Sequence, residues 1–265
     1  MNRAEVLAAF NAQVRQSTEP DGTGAVFEAD EYVVRRYGRP GHGGSGVFWS
    51  ALDAGVADAV IAAQVELFAA RGEEFEWKLY SYDEPADLAA RLVAAGLRPD
   101  EPESWVVAET AAVCAALRDA TLPDGVRLAE VTDATGLDLL AEVNKTVFGA
   151  DDPGRRAELL AQMETAPGYT ALVVALAGDE PVSAGRIEFG PGEFAGLWGG
   201  GTVPAWRGRG IYRALVRHRA EHALARGCRY LTVDASDQSR PILERIGFEC
   251  LATTTPYLWT PDGEG

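Results

Sequence analysis

The chain has 265 residues and a mass of 28.3 kDa, and its 24 lysines and arginines face 40 aspartates and glutamates, a formal charge of -16 with an isoelectric point near 4.6. A surface this negative repels phosphate, which argues against nucleic-acid or anionic-membrane binding through bulk charge and requires a local basic patch for any anionic ligand. With 47% hydrophobic and 24% charged residues, the composition is that of a folded protein with length for one large core or two modest ones.

The opening Met1-Asn2-Arg3-Ala4-Glu5 is charged where a secretory leader is apolar. No segment approaches the roughly 18 apolar residues of a membrane span, so a soluble, cytoplasmic protein is expected. Cys114, Cys228 and Cys250 are odd in number and lack CxxC spacing, and they read as reduced packing residues.

In chain order, the apolar pattern predicts a helix over 5–16 and strands over 25–28, 32–37 and 47–50. The glycine-rich run 38–46 reads as a hairpin loop, because no Lys-Ser/Thr pair closes a phosphate loop and Val47-Phe48-Trp49 reads as strand. A helix over 57–70, a strand over 75–80, a helix over 85–95 stopped by Gly96 and a strand over 105–108 complete the first series. The turn-rich string 119–125 marks a domain boundary, dividing the chain into 1–120 and 121–265. The second series is a strand over 126–131, helices over 137–148 and 153–165, and strands over 170–176, 182–189 and 194–203. A long helix over 210–226, a strand over 230–234, a helix over 241–246 and a final pair of strands end it. The class is mixed α/β.

The two series share a fragment. Ala70-Arg71-Gly72, a strand, an acidic turn, a short helix and Gly96 superimpose on Ala225-Arg226-Gly227, a strand, Asp237, a short helix and Gly247, which we read as an internal repeat. Chemistry concentrates where a strand ending at Thr202-Val203 meets Pro204, Arg207, Gly208, Arg209 and Gly210 and then a helix. A helix N-terminus reached through glycines presents free N–H groups and a positive dipole end, a place that binds phosphate. Between Pro204 and Arg229 there are seven arginines and one glutamate, a local charge of +6 that leaves -22 on the rest of the chain. Arg213 stands where a dinucleotide fingerprint requires its third glycine, so that kind of site is disfavoured.

With these residues in place the sequence resembles the GCN5-related N-acetyltransferase (GNAT) family, whose signature Arg/Gln-x-x-Gly-x-Gly/Ala is matched by Arg207-Gly208-Arg209-Gly210-Ile211-Tyr212 except at Tyr212. The likeness covers about residues 126–260. It implies a mostly antiparallel central sheet flanked by helices and, with the repeat, two tandem copies. It also implies acetyl-CoA as co-substrate, with Thr202 and Val203 along the pantetheine arm and the N–H groups of Gly208, Arg209, Gly210, Ile211, Tyr212 and Arg213 on the pyrophosphate, beside Arg207. Ser236 and Ser239 fall near the thiol end. The acetyl group passes directly to a primary amine of a small molecule, with no covalent enzyme intermediate.

The family tyrosine that protonates the thiolate falls at Leu243, which has no proton to give, leaving Tyr212, Tyr257 or solvent. Glu188 and Asp234 are the carboxylates nearest the role of general base, although Glu188 shares strand parity with Arg186 and also reads as a surface pair. Asp151-Asp152 before Pro153 read first as a helix cap and second as an acceptor contact. His218 and His222 lie one turn apart with no third ligand in view, so no metal is expected. Leu52-Asp53-Ala54-Gly55-Val56-Ala57 stand opposite Arg207 to Tyr212 in the first series, with the arginine gone and an aspartate present, which marks residues 1–120 as a degenerate GNAT-like half that serves as scaffold or as part of the acceptor site. The alternatives are a catalytically silent CoA-binding regulator and a nucleotide-binding protein of another fold. A monomer, itself a pseudo-dimer of halves, or a homodimer is expected, with no nucleic-acid or membrane partner.

Overall fold

The computed structural model describes residues 1–38, 44–149 and 153–261. The first helix, α1 (Arg3–Phe10), passes into a π-helical turn at Asn11–Arg15, so the predicted single helix is shorter and irregular at its end. Strands β1 (Val26–Ala29), β2 (Val33–Tyr37) and β3 (Gly46–Ser50) form an antiparallel meander; residues 39–43 of the expected hairpin loop lie outside the described residues. Helix α2 (Ala57–Arg71) carries the chain to β4 (Phe75–Tyr80), which lies parallel to β3. Then come α3 (Leu88–Ala94), the two-residue β5 (Arg98–Pro99), β6 (Glu103–Glu109) and α4 (Thr110–Ala116). Neither β5 nor α4 was legible in the sequence: the first is too short for any period, and Thr-Ala-Ala-Val-Cys-Ala-Ala has no polar face to contrast with an apolar one.

The second series is β7 (Val126–Glu130), α5 (Ala134–Phe148), α6 (Pro153–Thr165), β8 (Thr170–Ala177), β9 (Glu180–Phe189) and β10 (Phe194–Thr202). Helix α7 (Ile211–Ala225) leads to β11 (Tyr230–Ala235), parallel to β10, and α8 (Arg240–Glu244) leads to β12 (Glu249–Trp259). The predicted final pair of strands is one strand, whose register shift between Cys250 and Ala252 is a bulge and not a turn.

All twelve strands belong to one sheet, ordered β1-β2-β3-β4-β12-β6-β11-β10-β9-β8-β7, with β5 paired to β12. The pairing is antiparallel except at β3–β4 and β10–β11, the two places where a helix crosses over between strands. The succession of three antiparallel strands, crossover helix, parallel strand, short helix and last strand occurs twice. The last strands are exchanged: β12 sits between β4 and β6, and β6 between β12 and β11.

Alternation along β4 sets the two faces of the sheet there. Phe75 and Trp77 pack with Phe68, Leu92 and Tyr257 in the core beneath α2 and α3, while Glu76, Lys78 and Tyr80 turn to the opposite face. On that opposite face α1 contributes Phe10, whose ring lies 4.3 Å from Trp105 and 5.4 Å from Phe194. Among the described residues no helix is long and apolar enough to cross a membrane.

Candidate active site

Strand β10 and strand β11 are paired only over Phe194–Gly196 and Tyr230–Thr232, although both run on, so the two part beyond these residues. The fully buried Arg219 of α7 supports β10 at this point, donating to the carbonyl oxygens of Arg186 at 3.1 Å and Trp198 at 3.5 Å. Among the described residues no carboxylate pairs with this guanidinium, and burial lowers its pKa. A side chain at Gly185 would come within 2.9 Å of it, which explains glycine there.

After β10 the chain turns through Pro204–Trp206 and enters α7 at Gly210. Gly208 and Gly210 have φ of +75° and +87°, left-handed backbone that favours glycine. The first helical bond is Ala214 N–H to Gly210 O, and no side chain caps the helix, so the N–H groups of Ile211, Tyr212 and Arg213 have no partner within it. Arg207 donates from Nε to the Thr202 carbonyl at 3.0 Å, and Arg209 lies over the Trp206 ring at 4.6 Å. Val203 gives its N–H to Val182 O, so by the alternation of an antiparallel pair Thr202 is the residue whose peptide groups face the side of β11. Ile211 is buried in the core, and the ring of Tyr212 lies against Gly200, its hydroxyl pKa raised by burial. Across the gap Ser236 and Ser239 hold one another in a turn before α8, their hydroxyl oxygens 3.3 Å apart.

The corresponding helix start in the first series differs. Before α2 the Asp53 carboxylate accepts the N–H of Gly55 at 2.7 Å and of Val56 at 3.1 Å, so an internal anion holds the turn that leads into that helix.

Beside the gap, on the face carrying Gly196, Trp198, Thr232 and Asp234, lies a cavity of about 440 Å³. It is lined from both series, by β2, β3 and β4 as well as β9, β10 and β11. Lys78 reaches from β4 to Asp234 at 2.5 Å, and the pair is 14% and 6% exposed. Burial acts to lower the Lys78 pKa, but Asp234, Tyr80 and Glu76 outweigh it and hold the ammonium above its ordinary value. Three strand spacings separate β4 from β11, so this contact requires the sheet to curl around the cavity. Arg15 makes a two-pronged pair with Asp83, both contacts 2.8 Å, beneath the Tyr80 ring. Arg186 holds Glu188 at 2.8 Å, and both face the cavity, which corrects the expectation of a surface pair. Glu188 stands opposite Gly196, the last residue of β10 paired to β11.

The structure thus brings Glu188 and Asp234 to one cavity, next to the gap flanked by Arg207–Arg213 and by Ser236 and Ser239. Tyr257 is not brought there: it is 7% exposed in the core under α2 and α3, because its neighbour Pro256 takes the cavity-facing position. Leu243 is fully buried. His218 and His222 do have a third neighbour, since Glu130 of β7 lies 3.3 Å from His222 Nε2, and ligand atoms of the three fall within 4.8 Å of one another. This cluster is not part of the cavity lining. Asp151 and Asp152 lie outside the described residues. Sequence reasoning missed Lys78, Glu76 and Arg15, whose only signal was a charged or polar residue at every second position of Phe75-Glu76-Trp77-Lys78-Leu79-Tyr80 and a cation at the end of an apolar helix.

Residues 137–248, in the second series, match the sequence model of the acetyltransferase (GNAT) family. The whole chain is similar in fold to a GCN5-related N-acetyltransferase from Kribbella flavida, at 16% identity and a TM-score of 0.69, covering 97% of this chain and 95% of that one. It is also similar to a tandem GNAT protein from the clavulanic acid biosynthesis pathway, at 14% identity and a TM-score of 0.63, covering 98% and 94%. A third similar structure, a GCN5-related N-acetyltransferase from Sphaerobacter thermophilus, has 18% identity and a TM-score of 0.55, covering 89% and 76%. No curated protein matches the chain.

Proposed function

We propose that the chain is an N-acetyltransferase that moves an acetyl group from acetyl-CoA directly to a primary amine of a small molecule held in the cavity. The observation that carries this reading is the parting of β10 from β11 between an uncapped helix N-terminus on one side and a carboxylate-bearing cavity on the other. The N–H groups from Gly208 to Arg213 meet the pyrophosphate, the Thr202 peptide meets the pantetheine arm, and Ser236 and Ser239 flank the thiol end. An ammonium cannot attack, so Glu188, beside the gap, takes the amine's proton directly or through water. The nitrogen then bonds to the thioester carbonyl carbon, a backbone N–H stabilises the oxyanion, the attached nitrogen gives up its surplus proton to solvent, and the C–S bond breaks to release CoA thiolate, which takes its proton from solvent. Asp234, tied to Lys78, is assigned a positioning role.

Residues 121–265 form the cofactor-binding unit in this reading, and 1–120 a degenerate GNAT-like unit in which Asp53 stands in for the phosphate and the strands supply the far wall of the acceptor site. The test is CoA release from acetyl-CoA with a panel of small amines. Turnover above background hydrolysis by at least one amine is expected. Tight acetyl-CoA binding with no turnover by any amine would assign a silent CoA-binding regulator instead.

A further inference from the structure

We propose that the Glu76 carboxylate holds a second, non-reacting cationic group of the acceptor, so that the cavity selects a diamine or polyamine over a monoamine. The inference rests on the acetyl-transfer reading above and adds the class of substrate. Glu76 is 6% exposed and lines the cavity, yet its carboxylate makes no hydrogen bond or ion pair with any described residue. The cations around it are engaged elsewhere. Lys78 is bonded to Asp234, Arg36 to Asp21 and Arg186 to Glu188. Lys78 feels the Glu76 charge but bonds elsewhere, so the carboxylate faces the cavity with no cation in contact, and a ligand cation is the group that would complete it.

The surroundings suit such a ligand. Gly46 stands opposite Glu76 in the β3–β4 register and adds no side chain; a Cβ there would come 2.3 Å from the Glu76 carbonyl oxygen and 3.2 Å from the Phe48 ring. Glycine at 46 thus lets β3 and the Phe48 ring close up beside Glu76 without a side chain in front of the carboxylate, and the ring itself carries the Arg36 guanidinium at 4.6 Å. Three strands separate β4 from β10, roughly 19 Å along a flat sheet at the usual spacing and less where the sheet curls to let Lys78 reach Asp234. The two nitrogens of the acceptor are thus joined by an extended chain and do not share one carbon.

The experiment compares a homologous series of α,ω-diamines with n-alkylamines of matched length, in the wild type and in Glu76→Gln and Glu76→Asp. The expected result is a preference in kcat/KM for a long diamine that falls about 10- to 100-fold in Glu76→Gln, mostly through KM, as loss of one charge-assisted contact implies. Glu76→Asp should recover part of it. An unchanged diamine-to-monoamine ratio in folded Glu76→Gln overturns the inference. Calorimetry with a bis-quaternary ammonium alkane, which cannot be acetylated, and its mono-quaternary counterpart gives a readout on the wild type without turnover. Tighter binding of the bis-cation supports the Glu76 site even if no amine is acetylated, a result that would sink the acetyl-transfer reading alone. Equal binding of the two cations overturns the Glu76 assignment even where amines are acetylated.

Discussion

Alanine at Gly208 tests whether the turn before α7 receives the cofactor phosphates. With φ of +75°, a side chain at this position costs about 1–2 kcal/mol of backbone strain. A methyl group there meets no protein atom within 4 Å, so the protein adds no steric cost of its own. Gly227, just beyond α7, has φ of +77° and equally open surroundings, yet lies at the far end of the helix from the proposed pyrophosphate site. Gly208→Ala and Gly227→Ala should therefore lower the melting temperature by similar amounts, a few degrees for a chain of this size. Their effects on acetyl-CoA should differ. The Gly208 methyl stands where the phosphate must approach, and loss of one charged hydrogen bond is about 1.5–3 kcal/mol, or roughly 10- to 100-fold in Kd. Calorimetric titration with acetyl-CoA at fixed salt decides it. Equal affinity in the two variants, both folded, would refute the assignment of the turn.

Lys78→Met should destabilise the protein by about 3–5 kcal/mol in urea unfolding, because Asp234 is left buried without its cation, and Lys78→Met with Asp234→Leu should regain much of this; a single-variant loss below about 1 kcal/mol would show the pair to be solvated. Asp53→Ala should cost about 1 kcal/mol by releasing the N–H groups of Gly55 and Val56, read by the same unfolding assay, with no loss if water replaces the carboxylate fully. The His218 pKa is lowered by burial and then by His222, against the opposing pull of Glu130 and Glu221. The unfolded chain therefore binds that proton more tightly, and the associated stability is present above about pH 6.5 and lost as pH falls through the lower folded value, by at most about 1.4 kcal/mol per pH unit. His218→Gln should flatten the melting-temperature profile between pH 8 and 5, and an unchanged acid slope would place the cause elsewhere.

The parts of the site legible in the sequence are those built from neighbours in the chain. A strand ending in Thr202-Val203, then Pro204, Arg207, Gly208 and Gly210, then an apolar period beginning at Ile211, fixes a strand-turn-helix without reference to the rest of the fold. Phe75–Tyr80 was likewise legible as a strand with one aromatic and one polar face. Which way the polar face turns was not, because alternation defines two faces and tertiary packing chooses between solvent and cavity. Glu188 beside Arg186 looked like a surface pair for that reason. The partners of Lys78 and Arg15 lie 156 and 68 positions away, beyond any local pattern. Tyr257 illustrates the same limit, since one step along β12 separates a core residue from the cavity-facing Pro256.

The exchange of β6 and β12 explains why chemistry encoded in one half of the chain needs the other. Every residue of the proposed pyrophosphate turn comes from the second series, yet Asp234 at the end of β11 is balanced by Lys78 of β4, and β6 supplies Trp105 and Glu103 to the same cavity. Without β6 the strand β11 loses its antiparallel neighbour along all six residues from Tyr230 to Ala235, and β12 loses its partner on the side facing β11. An exposed strand edge of that length pairs with other chains. On the proposed reading the first series has reason to be kept with Asp53 in place of an anion site, because it closes the sheet and lines the cavity. A net charge of -16 is compatible with this arrangement: the ion pairs inside the cavity are balanced locally, and the arginine excess lies on the segment from Pro204 to Arg229 proposed to meet phosphate.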